Sequence, residues 1–171
     1  LGDLLQGAFD AIDDSLFELA NNARSNNEQN RYFEAMREIR IKRKGVEKHF
    51  QNVVGQLFSH PPQGGLSGAE DLASASANAD TLALVGNDDL EEQVALNAMI
   101  AKSKVHFQRP LLQLQARFSE IYPNINKEVP VNPMAPEHLC SAFVEAIQAL
   151  EIQIRERLIL LKQFDRYVVS N

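Results

Sequence analysis

Apolar residues return at three- and four-residue intervals through most of this chain, and that rhythm is the period of an α-helix face. Leu5, Ala8, Phe9, Ile12, Leu16, Leu19 and Ala20 share one face of a first helix. Phe33, Met36, Ile39, Val46, Phe50, Val53 and Leu57 form the stripe of a second, long helix from about Glu28 to Phe58. A third begins at Asn87 or Asp88 and carries Leu90, Val94, Phe107, Leu111, Leu114 and Phe118. Pro110 falls inside it and is expected to kink or split it near Gln108–Arg109. The last helix reads from Pro136 to about Val168, with Leu139, Phe143, Ile147, Leu150, Ile154, Leu158, Leu161 and Val168 as its main stripe. The period-two alternation of strands is almost absent, which argues against an α/β enzyme fold. The expected class is all-α: an antiparallel bundle of three to four long helices with one long polar loop.

Breaks in the rhythm place the connections. Asn21, Asn22, Ser25, Asn26 and Asn27 are poor helix formers and mark a turn. His60-Pro61-Pro62-Gln63-Gly64-Gly65 stops the second helix. Residues 61–80 are small and polar and read as a flexible or extended linker within one helical domain spanning 1–171. Thr81-Leu82-Ala83-Leu84-Val85 is a short apolar run that suits a strand or a docking segment, and Tyr122 to Ala135, with three prolines, reads as a loop. Gly45 lies inside the second helix, where it either admits a close neighbour or is a weak point.

Bulk chemistry narrows the function classes. At 171 residues and 44% hydrophobic, the chain can bury a core of its own. It holds no run of 18 apolar residues, so no membrane-spanning helix is expected. The single cysteine, Cys140, rules out an intrachain disulfide, and with no visible export signal it suits a reducing cytoplasm. A start at Leu1 leads to the expectation of a piece of a longer polypeptide. The net charge of −6 disfavours a dedicated nucleic-acid-binding domain.

That charge is unevenly spread. Arg37, Arg40, Lys42, Arg43, Lys44 and Lys48 crowd the second helix, and Arg37, Arg40, Lys44 and Lys48 project from adjoining parts of one face. Such a face suits a nucleotide, a nucleic acid or an acidic protein surface, and equally a solvated face paired to acids elsewhere. Arg43 sits on the apolar stripe between Ile39 and Val46, so it needs a partner, and Asp165 is the expected acid of a structural ion pair. Ile152, Ile159 and Leu160 add apolar surface outside the main stripe of the last helix and are candidate interface residues.

Catalytic constellations are missing from the sequence. His49, His60, His106 and His138 show no pair at the three- or four-residue spacing of a helical metal site, so no metal is expected. Cys140 has no adjacent base and reads as a buried structural thiol. Asp13-Asp14 and Asp88-Asp89 point about 100° apart on a helix and make no catalytic dyad. There is no nucleophile elbow, Walker loop or dinucleotide fingerprint. No cofactor and no enzymatic activity are expected.

Several blocks carry a resemblance. They are Leu4-Leu5-Gln6, Asp13 to Ala20, Glu28 to Arg37, Leu84 to Glu92, and Phe164-Asp165-Arg166-Tyr167-Val168. In this order they resemble a large proteobacterial family of unknown function, whose members are long cytoplasmic proteins often mislabelled as thymidine phosphorylases. The resemblance fades at 61–80 and brings no catalytic residues with it. The phosphorylase label needs a phosphate cradle, and Gly64-Gly65 with Gly68, lacking a following Lys-Ser or Lys-Thr, does not supply one. The expected function is a non-catalytic helical interaction module of a larger bacterial regulatory protein, mediating self-association or docking a protein partner. The alternative is nucleotide or nucleic-acid binding through the basic face of the second helix.

Overall fold

The Asn- and Ser-rich run after the first apolar stripe ends one helix and caps the next. In the computed structural model, which describes residues 1–60, 87–122 and 132–170, α1 (Gly2–Asn21) turns into α2 (Asn26–Ser59) within four residues. Ser25 is the N-cap of α2: its hydroxyl accepts the Glu28 N–H at 3.2 Å, and the Glu28 carboxylate accepts the Arg24 N–H at 3.1 Å. With 34 residues, α2 is roughly 50 Å long. Helix α3 (Asn87–His106) ends at Phe107 and α4 (Gln108–Ile121) starts directly after it, so the Pro110 pattern splits the helix as the sequence implies. The chain continues as α5 (Pro136–Ile147), α6 (Ile154–Phe164) and a π-helical turn (Asp165–Val169). The linker at 61–80, the apolar run at 81–85 and most of the Tyr122–Ala135 loop lie outside the described residues.

The described elements are all helical, and they pack as a bundle. Helix α1 lies along α2 and α6, α2 packs on α5, and α3 packs on α5 and α6. The stripe residues Leu5, Phe9, Ile12 and Leu16 of α1 and Met36, Ile39, Val46 and Phe50 of α2 are buried together. Phe50, Phe143 and Phe164 form the aromatic centre. The last two stack at 3.9 Å, and Phe50 meets both edge-on at 6.1 and 5.7 Å. Phe33, expected in the α2 stripe, is exposed, and so is Leu19 at the end of α1.

The long final helix of the sequence reading is two helices. Between α5 and α6, residues 148–153 leave the α-helical path although no Gly or Pro stands there. The partners that hold this break sit on α2. Lys42 Nζ donates to the Ala149 carbonyl at 2.8 Å, and Glu38 Oε1 accepts the Glu151 N–H at 3.2 Å. Glu38 and Lys42, one helical turn apart, pair with each other as well. Two backbone groups released from the helix ladder thus find charged partners, which makes the break affordable in a bundle.

Gly45 has no heavy atom within 4 Å of where a Cβ would stand. Of the two roles the sequence allows, close approach of a neighbour is not the one this structure shows.

Candidate interaction surfaces

Antiparallel register between α1 and α2 is set by polar contacts along their shared edge. Arg40 Nε donates to Asp13 at 2.8 Å, and Arg43 Nη1 donates to Asp10 at 2.8 Å. Gly2 lies across from Gln51. Arg43 Nε also bonds Glu47 at 2.9 Å, Nη2 donates to the Gln6 carbonyl at 3.1 Å, and the guanidinium lies 5.4 Å from the Phe9 ring centroid. Burial works against the charged form, but the carboxylates of Glu47 and Asp10 outweigh it and raise the Arg43 pKa.

The expected Arg43–Asp165 ion pair is therefore corrected. Arg43 lies on the stripe, but its long stem carries the charge out to the rim, where Asp10 and Glu47 are nearer. Asp165 instead accepts Lys102 Nζ at 2.8 Å and, through its other oxygen, the Ser170 hydroxyl at 2.8 Å. Reading along one helix could not show that the rim of α1 supplies the acids.

The basic face of α2 is in part tied up. Arg40 is held by Asp13. Arg37, Lys44 and Lys48 are exposed and make no ion pair among the described residues. They fall on one line of the helix, seven and four residues apart.

The interface candidates of the last helix also move. Leu160 is fully buried in the core, and Ile152 and Ile159 are half-buried against it. The break at 148–153 resets the helical phase, so a stripe projected through it assigns the wrong face to the residues beyond. Among the described residues, exposed apolar side chains lie instead on α3 and α4. Leu90 and Val94 of α3 are 50% and 67% exposed and, with Ala95 and Leu158 of α6, line an open groove of about 370 Å³. The groove continues along Ala98, Met99 and Leu161 to Lys102 and Asp165.

Helix α4 is the more exposed of the two. Phe107, Leu111, Leu114, Phe118 and Tyr122 share a face, yet no residue of α4 is buried. Its C-terminal end is tethered to α2: the Tyr122 hydroxyl donates to the Phe58 carbonyl at 2.7 Å, and the Phe58 and Phe118 rings meet at 5.9 Å. Leu112 and Ile121 stand 58% and 63% exposed. The sequence held this signal, since α4 is amphipathic; its five face residues are half-buried, Ile121 stands exposed at the edge of that face, and exposed Leu112 lies off it.

Titratable groups add little chemistry. Burial pushes the Cys140 thiol up to about 12, which leaves it protonated and unreactive. Burial also lowers the His138 pKa. His49 Nε2 sits 3.2 Å from Glu145 at the surface. Among the described residues, no three His, Cys, Asp or Glu side chains are grouped so as to hold a metal, and no helix is long and apolar enough to cross a membrane.

No curated protein and no solved structure matches this chain. One family model does, over residues 1–171, under the description of an N-terminal domain of a protein of unknown function. The helical bundle with its open α3–α4 surface is therefore a member of that family, the DUF1631 N-terminal domain.

Proposed function

We propose that this chain is a non-catalytic helical interaction module serving a larger cytoplasmic bacterial regulatory protein, and that it docks protein through the apolar surface of α3 and α4. One observation carries the reading: a complete amphipathic helix, α4, has no buried residue. A helix of 14 residues is marginal alone in water, and it gains most of its stability from packing an apolar face. A separate groove on α3 and α6, lined by Leu90, Glu91, Val94, Ala95 and Leu158, adds further apolar area. The protonated, buried Cys140 supports the non-catalytic part of the reading.

Light scattering across a concentration series, with affinity capture from the cells that carry the chain, tests the proposal. The wild-type chain is expected to assemble or to capture a protein. Replacing Leu90, Val94 and Leu112 with Glu is expected to abolish protein capture while leaving the melting temperature nearly unchanged, since all three are exposed. A strictly monomeric wild-type chain that captures nothing contradicts it.

Nucleotide or nucleic-acid binding has one observation in its favour: Arg37, Lys44 and Lys48, on a single line of α2, make no ion pair among the described residues. It predicts binding that weakens steeply with salt and is lost when these cations become Glu.

A further inference from the structure

The outer face of the α1–α2 hairpin carries charge that the fold leaves unused. Of the seven cations on α2, four have carboxylate partners: Arg31 with Glu156, Arg40 with Asp13, Lys42 with Glu38 and Glu151, and Arg43 with Asp10 and Glu47. Arg37, Lys44 and Lys48 have none among the described residues, and Ile41 stands between them 67% exposed. The same holds in the opposite sign on α1. Asp3, Asp14 and Glu18 are exposed with no ion pair among the described residues, and Phe17 beside them is 52% exposed. An acidic strip and a basic strip, each with an exposed apolar side chain, thus run side by side.

Both strips face the same way. On α1 the exposed line lies just beyond Asp10 and Asp13, the residues that reach α2; on α2 it lies just beyond Arg40 and Arg43, the residues that reach α1. The two lines therefore flank one outer surface of the hairpin.

We propose that a second copy of this chain covers that surface, related by a two-fold axis running between the two hairpins and parallel to their helices. Such an axis lays α1 of the partner antiparallel over α2, and α2 of the partner over α1, while keeping every residue at its own height. The α1–α2 register sets Asp3 level with Phe50, Asp10 level with Arg43, Asp14 level with Ile39 and Glu18 level with Ala35. The partner's Asp3 then comes to the height of Lys48, the partner's Asp10 to that of Lys44, and the partner's Asp14 and Glu18 bracket Arg37. The product is a four-helix layer with matched charge from Lys48 to Arg37; exposed Glu34, on the same line of α2, comes level with the partner's Glu18 and weakens the match at that end. Phe17 and Phe33, exposed near the same end of the hairpin, supply apolar contact there.

A second copy fits better than a nucleic acid. Packed helices lie about 8–10 Å apart, so a phosphate backbone on the basic strip would run within about a Debye length of Asp14 and Glu18. Ile41 at the centre of the strip offers a phosphate nothing. The inference rests on the reading of the chain as a protein-binding module, but uses a face separate from α3 and α4.

Sedimentation velocity of the chain over a concentration series tests it, with two charge-reversed variants, R37E/K44E and D14K/E18K. Wild type is expected to dimerise, each variant to dimerise at least roughly tenfold more weakly, and an equimolar mixture of the two variants to recover the dimer, because both interfaces then pair opposite charges. Circular dichroism confirms folding, and R37Q/K44Q replaces a charge-reversed variant that fails to fold. A monomeric wild type, variants that associate as tightly as wild type, or a mixture that stays monomeric each overturn the proposal. So does a fluorescent oligonucleotide that binds wild type at physiological ionic strength and is released by R37E/K44E. If wild type is monomeric but still captures protein in a way that L112E abolishes, the dimer falls and the α3–α4 reading stands. If the dimer survives and the α3–α4 substitutions change nothing, the reverse holds.

Discussion

Arg31 and Glu156 lie 125 positions apart and meet at 3.0 Å, where Arg31 Nε donates to the Glu156 carboxylate and ties α2 to the first turn of α6. Glu156 is wholly buried, whereas Arg31 keeps about a quarter of its side chain in solvent. The Gln153 side chain holds the same guanidinium at 3.3 Å. Removing one partner of a buried pair leaves an uncompensated charge, and the more buried charge suffers more. Arg31→Met is therefore expected to cost about 3 kcal/mol, at the low end for such pairs because Arg31 is partly solvated. Glu156→Gln should cost less, and Arg31→Met with Glu156→Leu together should recover much of the loss. Urea denaturation of the three variants measures this, and equal costs for the two single changes would contradict it.

Gly45 is the opposite case, a site where nothing is gained by the native residue. A Cβ there meets no atom within 4 Å, so Gly45→Ala should stabilise the isolated chain by up to about 1 kcal/mol through helix propensity alone. Chemical denaturation at low protein concentration is the measurement. A destabilised variant would show that something packs against this turn of α2.

How much of this was legible in the sequence differs from place to place, for physical reasons. The α1 stripe and most of the α2 stripe are buried as the spacing says, because a helix buries whatever lies on one face of its own period. Pro110 announces the α3–α4 split, since a missing N–H acts locally. The break at 148–153 is invisible in its own residues; the side chains that satisfy its backbone, Glu38 and Lys42, lie more than a hundred positions away. That break turns Leu160 into the core and leaves Ile152 and Ile159 half-buried, a placement that a continuous helix does not give. The Arg43 partner was missed for a similar reason, because spacing shows that a charge needs an acid but not which neighbouring helix brings one.

Cys140 offers a direct probe of core integrity. It is almost fully buried and its thiol is pushed up to about 12, so Ellman's reagent should find no reactive thiol in the native chain at neutral pH. One thiol per chain should appear on denaturation. Rapid native labelling would contradict the packing of α5.

Acid should destabilise the bundle through His138 in a definable window. Burial, the largest influence, lowers its pKa below 6.5, with Lys104 acting in the same direction and Glu137 against them. The unfolded chain therefore takes up the proton first, and stability falls as pH drops from 6.5 toward the lowered native value; above 6.5 the residue contributes no slope. His138→Gln should remove that part of the pH dependence in denaturation curves. Glu38 acts in a separate, lower window. Its hydrogen bonds from Lys42 and the Glu151 N–H lower its pKa, so its contribution is present above 4.5 and lost as pH falls through the native value.

The central claim is that the open apolar surface of α3 and α4 is where this chain meets another protein. Photoreactive side chains placed at Val94 and at Leu112, with exposed Gln148 as the control position, test it most directly in the cells that carry the chain. Discrete cross-linked protein adducts from positions 94 and 112, absent from 148, are the predicted result. Adducts that are absent at both test positions, or equal at all three, would contradict it.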